Sequence, residues 1–280
     1  MAKTETEQKS NIDNRDLSIQ ENAPMSHSEI LREQISEALD IYDKTNSSIF
    51  LSSFTAGLEI GFSFLLICVM SDFLMGSITQ EAIWKINALV YPVGFILVVL
   101  GKSILFTEQT SLLFLPVLNK KSNLSDLFRL WSLVLVGNIL GGMLISIIAV
   151  WIGPRLHIFS AETIEKISIH VIHDNLVVIW VSAILAGWLM GLLSWLLTSS
   201  DSTISRILII YIITAVIGAM GLHHSIVGNI EVFSGLITSN EITLRDYLLF
   251  QTIAILGNAL GGVVFVALLK YKAFAFDGKH

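Results

Sequence analysis

Residues 137–142 read Gly-Asn-Ile-Leu-Gly-Gly, and residues 257–262 read Gly-Asn-Ala-Leu-Gly-Gly. Both copies lie inside apolar stretches that are long enough to cross a lipid bilayer. A motif that recurs at equivalent places in two hydrophobic segments is typical of a membrane protein built from two homologous halves. The sequence therefore predicts an internal duplication, with a functional site where the two halves meet.

The composition also requires a membrane environment. Of the 280 residues, 53% are hydrophobic and 14% are charged, and the mean hydropathy is +0.72. A water-soluble core cannot bury so many apolar side chains, so lipid must cover part of them. The sequence has no basic patch with interleaved aromatic residues, and we therefore expect no nucleic acid as a partner.

Six apolar segments follow a polar N-terminal region, at roughly 49–71, 86–118, 127–152, 175–198, 205–237 and 247–271. Four of them have the length of about 20 residues that one bilayer crossing requires. The second and fifth are longer and carry polar residues near their middle, which predicts helices that break within the bilayer. The fold class is thus an all-α membrane protein with six transmembrane segments, arranged as two inverted three-helix repeats with broken second and fifth helices.

The regions outside the spans are short and polar. Residues 1–25 predict a disordered tail, because they are polar and poor in aromatic side chains. Ser26 and Glu29 form a capping-box pattern, and residues 26–48 predict an amphipathic helix that lies either on the membrane surface or on the protein's own face. The transmembrane domain is expected at 49–272 and a C-terminal tail at 273–280.

Basic residues indicate the orientation of the spans. If both termini are cytoplasmic, twelve lysines and arginines lie on that side of the membrane and four on the other. The positive-inside rule favours this arrangement. The N-terminus lacks the basic start and apolar segment of a cleavable signal peptide, so the first span must direct insertion. We therefore predict a multi-pass protein with both termini in the cytoplasm and lipid around its spans.

Four motifs resemble those of the formate-nitrite transporter family, in the order and in the segments where that family has them. They are Leu105-Phe106-Thr107 with Thr110, Gly221-Leu222-His223-His224-Ser225-Ile226 with Asn229, and the two Gly-Asn-x-x-Gly-Gly motifs. The resemblance covers about residues 47–272. It implies an aquaporin-like fold in a bacterial cytoplasmic (inner) membrane and a homopentamer with one pore per protomer. It further implies a channel or proton-coupled transporter for small monovalent anions such as formate, nitrite or hydrosulfide.

The same resemblance implies a pore threonine and a central pore histidine, here Thr107 and His224. An ionisable side chain at mid-membrane is costly unless it faces a cavity or a partner. Imidazole has an unperturbed pKa of about 6.5, so His224 could give a proton to an anion without a cofactor, or it could cap the broken helix instead. The Thr107 hydroxyl could orient His224, hydrate the anion, or bond the freed backbone of its own loop.

Five further polar or aromatic positions belong to the predicted site. His223, Phe106 and Asn229 are candidates for the substrate pathway, with His223 open between lining the pore and structural bonding. We expect Asn138 and Asn258 to be structural. An amide within a helix can satisfy the broken loop opposite it, and the glycines that follow permit close approach.

The chain departs from the family at several positions. His223 stands where the family commonly has a glutamate, Val171 where it often has a lysine, and Gly187 where it can have an asparagine. These losses make the chain a divergent member by its sequence.

The chain also gains charges within its spans. Lys102 lies in the second segment, and three acidic residues share the same depths: Glu59, Glu108 and Glu231. Because unpaired charges there are expensive, we expect an ion pair of Lys102 with Glu59 first and Glu231 second, and with Glu108 as the remaining choice. Such a pair would either place a fixed positive field near the pore or join helices structurally.

A second class of function stays open in the sequence, an aquaporin-like pore for water or small neutral solutes. Against it, neither broken segment contains Asn-Pro-Ala, and a buried histidine with a lysine is a poor lining for a neutral solute. The sequence contains no phosphate-binding loop, nucleophile elbow or intramembrane cluster of metal ligands, so we expect neither an enzyme nor a metal or other cofactor.

Overall fold

The computed structural model describes residues 25–275, and this part of the chain is helical without strands. The predicted tails, up to residue 24 and from residue 276, lie outside the described residues. The helices are α1 (His27–Tyr42), α2 (Asn46–Leu74), α3 (Gln80–Asn87), α4 (Pro92–Leu100), α5 (Phe106–Leu112), α6 (Leu115–Leu118), α7 (Leu124–Arg155), α8 (Ala161–Ile172), α9 (Leu176–Thr198), α10 (Thr203–Met220), α11 (Ser225–Thr238), α12 (Leu244–Gly262), a π-helical turn (Val263–Leu268) and α13 (Leu269–Phe274).

Six helical stretches are long and apolar enough to cross a membrane, as predicted: Asn46–Leu74, Gln80–Leu100, Leu124–Arg155, Leu176–Thr198, Thr203–Met220 and Leu244–Phe274. Several of them extend beyond the apolar segments read from the sequence. Thr45 and Asn123 cap α2 and α7, each accepting a hydrogen bond from a backbone N–H three residues on. Because these caps lie in polar sequence, the helices begin before the apolar segments that hydropathy detects.

The second and fifth spans break at equivalent places. One break runs over residues 101–105 between α4 and α5, and the other over residues 221–224 between α10 and α11. Each contains one residue in the left-handed conformation, Lys102 with φ 56° and Gly221 with φ 63°. α5 then continues to one face of the protein and α11 to the opposite face, which is the inverted arrangement expected from three crossings per half.

Asn138 of α7 holds the first break together. Its Oδ1 accepts a hydrogen bond from the N–H of Phe106 at 2.7 Å. Its Nδ2 donates to the carbonyl of Ile104 at 2.9 Å and to that of Ser53 in α2 at 2.7 Å. One buried amide thus satisfies backbone groups on both sides of residue 105, which lipid could not do.

Asn258 of α12 does the same for the second break. Its Oδ1 accepts from the N–H of Ser225 at 2.7 Å, and its Nδ2 donates to the carbonyls of His223 at 3.0 Å and of Ala183 in α9 at 2.7 Å. Each asparagine bonds the break of its own half. The repeated motif therefore marks the same structural device in both repeats.

The glycines of the motif bring whole helices together. A Cβ on Gly141 would overlap the carbonyl oxygen of Phe54, and a Cβ on Gly261 would overlap that of Ile184. α7 therefore packs backbone to backbone on α2, and α12 on α9, as small residues allow in membrane proteins. This close approach is what brings each asparagine within reach of its partner helix.

The N-terminal helix α1 packs on the protein itself. Ser26 and Glu29 form the predicted capping box. Gln34 is buried and donates from Nε2 to the carbonyl of Ser194 at 3.1 Å and to Oγ1 of Thr198 at 2.6 Å. Apolar residues of α1 join a cluster with side chains from α6, α9 and the π-helical turn: Ile30, Leu31, Ile35, Leu115, Trp195 and Ala267. We call this side of the protein the α1 face and the opposite side the α8 face.

Candidate functional site

The two breaks meet through one hydrogen bond between side chains. Oγ1 of Thr107 and Nε2 of His224 are 2.7 Å apart, and both residues are buried. Thr107 lies in the first turn of α5 and His224 is the N-cap of α11. The contact joins the two inverted repeats at the depth where both helices are interrupted.

The second ring nitrogen of His224 fixes the direction of this hydrogen bond. Nδ1 accepts a bond of 3.2 Å from the backbone N–H of Val227. A backbone N–H can only donate, so Nδ1 is unprotonated and the neutral imidazole carries its proton on Nε2. Nε2 therefore donates to Thr107 Oγ1. The hydroxyl hydrogen of Thr107 is then left to donate elsewhere.

A cavity of about 360 Å³ leads from the α8 face to His224, and Thr107 is not among the residues that line it. His224 lines this cavity together with Leu222 and Gly228. The ring of Phe95 packs edge-on against the imidazole, with centroids 5.1 Å apart and planes at 87°. The imidazole of His224 therefore has the apolar ring of Phe95 beside it and the Thr107 hydroxyl as its hydrogen-bond partner.

The mouth of the cavity is formed by α3 and α8. Trp84 and His170 stack with centroids 4.2 Å apart and planes at 4°, and both line the cavity. Desolvation of the imidazole lowers the pKa of His170, which favours the neutral form of this side chain. The stacked pair thus gives the mouth one flat, uncharged wall.

His223 both lines the cavity and bonds its surroundings. Its Nε2 donates to the carbonyl of Val171 at 2.9 Å, since a carbonyl can only accept. Its Nδ1 is 2.8 Å from Oγ of Ser182, and its backbone N–H donates to the same oxygen at 3.0 Å. His223 therefore ties the second break to α9 and to the end of α8.

The expected ion pair of Lys102 is wrong. Among the described residues, no salt bridge joins Lys102 to Glu59, Glu108 or Glu231. Lys102 is exposed, and the charge on its side chain acts on Glu37 of α1. The left-handed backbone at this position turns the side chain outward, toward the α1 face.

The three acidic residues of the spans, Glu59, Glu108 and Glu231, lie in different places and do not form one network. Glu59 lies beside Gly101, with Oε1 near that glycine and with no hydrogen-bond partner for Oε2 in the described part of the chain. Glu108 lies in α5 on the α1 side of Thr107, where Glu37 and Arg206 are the charged groups that act on it. Glu231 lies in α11 and lines the cavity on the α8 side of His224.

Two other predicted pathway residues lie away from the cavity. Asn229 is fully buried between α11, α7 and α12, where its Oδ1 accepts from the Tyr247 hydroxyl at 2.7 Å and its Nδ2 donates to the carbonyl of Ile139 at 3.3 Å. Phe106 directs its ring against Trp131 of α7, with centroids 6.2 Å apart. Both side chains are engaged in helix packing.

Replacing Lys102 with glycine is expected to raise stability by about 0.5–1 kcal/mol, because a left-handed conformation is strained for a residue with a Cβ. Thermal unfolding in detergent would measure the change. Lys102→Ala is the matched control, since it removes the charge but keeps the Cβ, and it should give no gain. A fall in the unfolding temperature for both variants would instead indicate a lost ion pair.

Sequence reasoning missed three contributors to the site. They are Ser182, which holds His223, Trp84, which forms the wall of the mouth, and Phe95, which packs on His224. Each is an ordinary apolar or small residue within a membrane span. No local pattern distinguishes such residues from those that face lipid.

Comparison with known proteins is consistent with this arrangement. The family profile described as Formate/nitrite transporter matches residues 28–272. The chain is 31% identical over 232 residues to "Inner membrane protein YfdC" of Escherichia coli (strain K12), covering 81% of this chain and 72% of that protein. Two solved structures share the fold. An "FNT family ion channel" has a TM-score of 0.79 at 20% identity, covering 87% of this chain and 98% of that one. A "Pentameric formate channel with formate bound" has a TM-score of 0.68 at 21% identity, covering 82% and 98%.

Proposed function

Because the chain belongs to the formate/nitrite transporter family, a family of membrane transporters and channels rather than enzymes, we propose that it is a pore for small monovalent anions such as formate or nitrite. His224 and Thr107 form the polar site at its midpoint. The observation that carries this proposal is the hydrogen bond between them, which joins the two broken spans beside a cavity that His224 lines.

The bonding pattern suggests how the site handles an anion. With His224 Nε2 donating to Thr107, the threonine hydroxyl is free to donate to an anion that arrives beside it. A hydrogen bond to a charged acceptor stabilises it more than one to a neutral acceptor. Protonation of His224 at Nδ1 would break its bond with the N–H of Val227, so proton donation to the substrate competes with capping of α11.

We further propose that five protomers associate in a bacterial inner membrane, with both termini cytoplasmic. A structural relative is described as a pentameric formate channel, and a sequence relative as an inner membrane protein. Many large apolar side chains point outward, including Phe73 at 76% exposure and Ile204 at 71%. Lipid and neighbouring protomers are the surroundings that such side chains require.

Uptake into proteoliposomes tests the proposed function. We expect the purified protein to accelerate entry of labelled formate and nitrite over empty liposomes, and to leave glycerol and water permeation unchanged. Uptake with an imposed pH difference across the membrane, compared with uptake at equal pH on both sides, separates a channel from proton-coupled transport, because only the latter is driven by a proton gradient. Faster glycerol or water entry without anion flux would instead support an aquaporin-like pore.

The oligomeric state is tested separately. Native mass spectrometry in mild detergent should give a species of five times the protomer mass of 30.9 kDa. A monomer or dimer as the largest species under those conditions would contradict the pentamer.

A further inference from the structure

Glu231 occupies an unusual place for an acidic residue in this cavity. It follows His224 by seven residues in α11, so two helical turns place both on the same side of the helix, about 10 Å apart along its axis. Glu231 lines the cavity between His224 and the α8 face. In the described part of the chain its carboxylate makes no hydrogen bond and no salt bridge, while its backbone carbonyl accepts from Ser168.

The charges around Glu231 do not compensate it. Lys85 at the mouth is exposed, and its ammonium donates to the carbonyl of Ala219 at 2.8 Å rather than to a carboxylate. The cavity therefore holds more carboxylates than ammonium groups. The remaining titratable groups that line it or face Glu231 are Cys68 of α2, Tyr91 before α4, Glu81 of α3, His170 and Asp174 at α8, and His223 and His224 at the second break.

We propose that Glu231 is a selectivity residue that admits weak acids and excludes permanently ionised anions. This inference rests on the proposed function. An anion that stays charged must pass an unpaired carboxylate within a space of low dielectric, where like charges repel far more strongly than in water. Formate or nitrite can take a proton from solvent at the mouth and pass Glu231 as the neutral acid. Chloride and nitrate lack that option at any pH of a living cell.

Neutralising this carboxylate is expected to relax selectivity. In proteoliposomes at about pH 9, Glu231→Gln should raise chloride and nitrate flux at least about tenfold, because the repulsion by the ionised carboxylate is removed. Formate flux should change less than about twofold, since the neutral acid experiences little of that repulsion. Glu81→Gln is the matched control, because Glu81 lines the same cavity but is exposed to screening by solvent.

Acidification provides a second measurement on the same proteins. In the parent, chloride and nitrate flux should rise as the pH falls and Glu231 takes up a proton, whereas in Glu231→Gln this rise should be much smaller. The inference would be overturned if chloride and nitrate flux were unchanged in a correctly assembled Glu231→Gln protein, or if that protein lost all flux. A parent that carries no weak acid would contradict the proposed function, while a gain of chloride flux in the variant would still support exclusion by Glu231.

Discussion

Asn258→Ala is expected to lower the free energy of unfolding by about 3–5 kcal/mol, because it leaves three buried backbone groups without a partner. Those groups are the N–H of Ser225 and the carbonyls of His223 and Ala183. Asn138→Ala should have an effect of the same size, since its three bonds are equivalent. Thermal unfolding in detergent, together with the amount of protein in the membrane, would measure both.

Asn87 provides a control of the same residue type. It is also buried, at 5% exposure, but its Nδ2 donates only to a side chain, Oγ of Ser71 at 2.8 Å, and its Oδ1 has no partner among the described residues. Asn87→Ala should therefore cost about 1 kcal/mol. Equal losses at positions 87 and 258 would mean that the motif asparagines are no more than ordinary buried amides.

The repeated motif explains why so much of the fold is predictable. Six spans follow from hydropathy, and the duplication follows from residues 137–142 and 257–262. The breaks follow from polar residues at mid-span, because unwound backbone needs internal partners there. The partners of Asn138 and Asn258 could not be read from the sequence, because hydrogen-bond geometry depends on the distance between packed helices.

Lys102 shows where charge-based reasoning fails. A lysine within an apolar segment predicts a buried partner, yet residues 102 and 221 occupy the same left-handed position in the two breaks. The second repeat has glycine there, which adopts this conformation without strain. Aligning the two breaks would have indicated a backbone role for Lys102. In the same alignment, Leu105 of the first repeat occupies the position that His224 occupies in the second. Only the second repeat therefore supplies the central imidazole.

His224 combines two tasks that can be separated by experiment. Its Nδ1 caps α11 through the N–H of Val227, and its Nε2 bonds Thr107. A substitution that removes both would confuse a misfolded helix with a lost site. Asparagine is among the best N-cap residues and cannot be protonated, so it keeps the first task and removes the second.

His224→Asn is therefore expected to leave protein abundance and oligomeric state unchanged while lowering formate flux about tenfold, because the hydrogen bond that leaves the Thr107 hydroxyl free to donate is lost. Between about pH 5.5 and 7.5 its flux should also follow only the protonated fraction of formate itself, because the asparagine amide cannot take up a proton at the midpoint. Proteoliposome uptake of labelled formate across this range would measure both effects.

His223→Asn is the neighbouring control, because His223 bonds Ser182 and Val171 rather than Thr107. We expect it to lower thermal stability, since the tie between α8, α9 and the break is lost, while the remaining active protein keeps the parent's pH profile. The opposite pattern, with pH dependence lost at position 223 and retained at position 224, would move the proton-responsive group to His223. Parallel profiles for parent and His224→Asn would leave His224 as the cap of α11 alone.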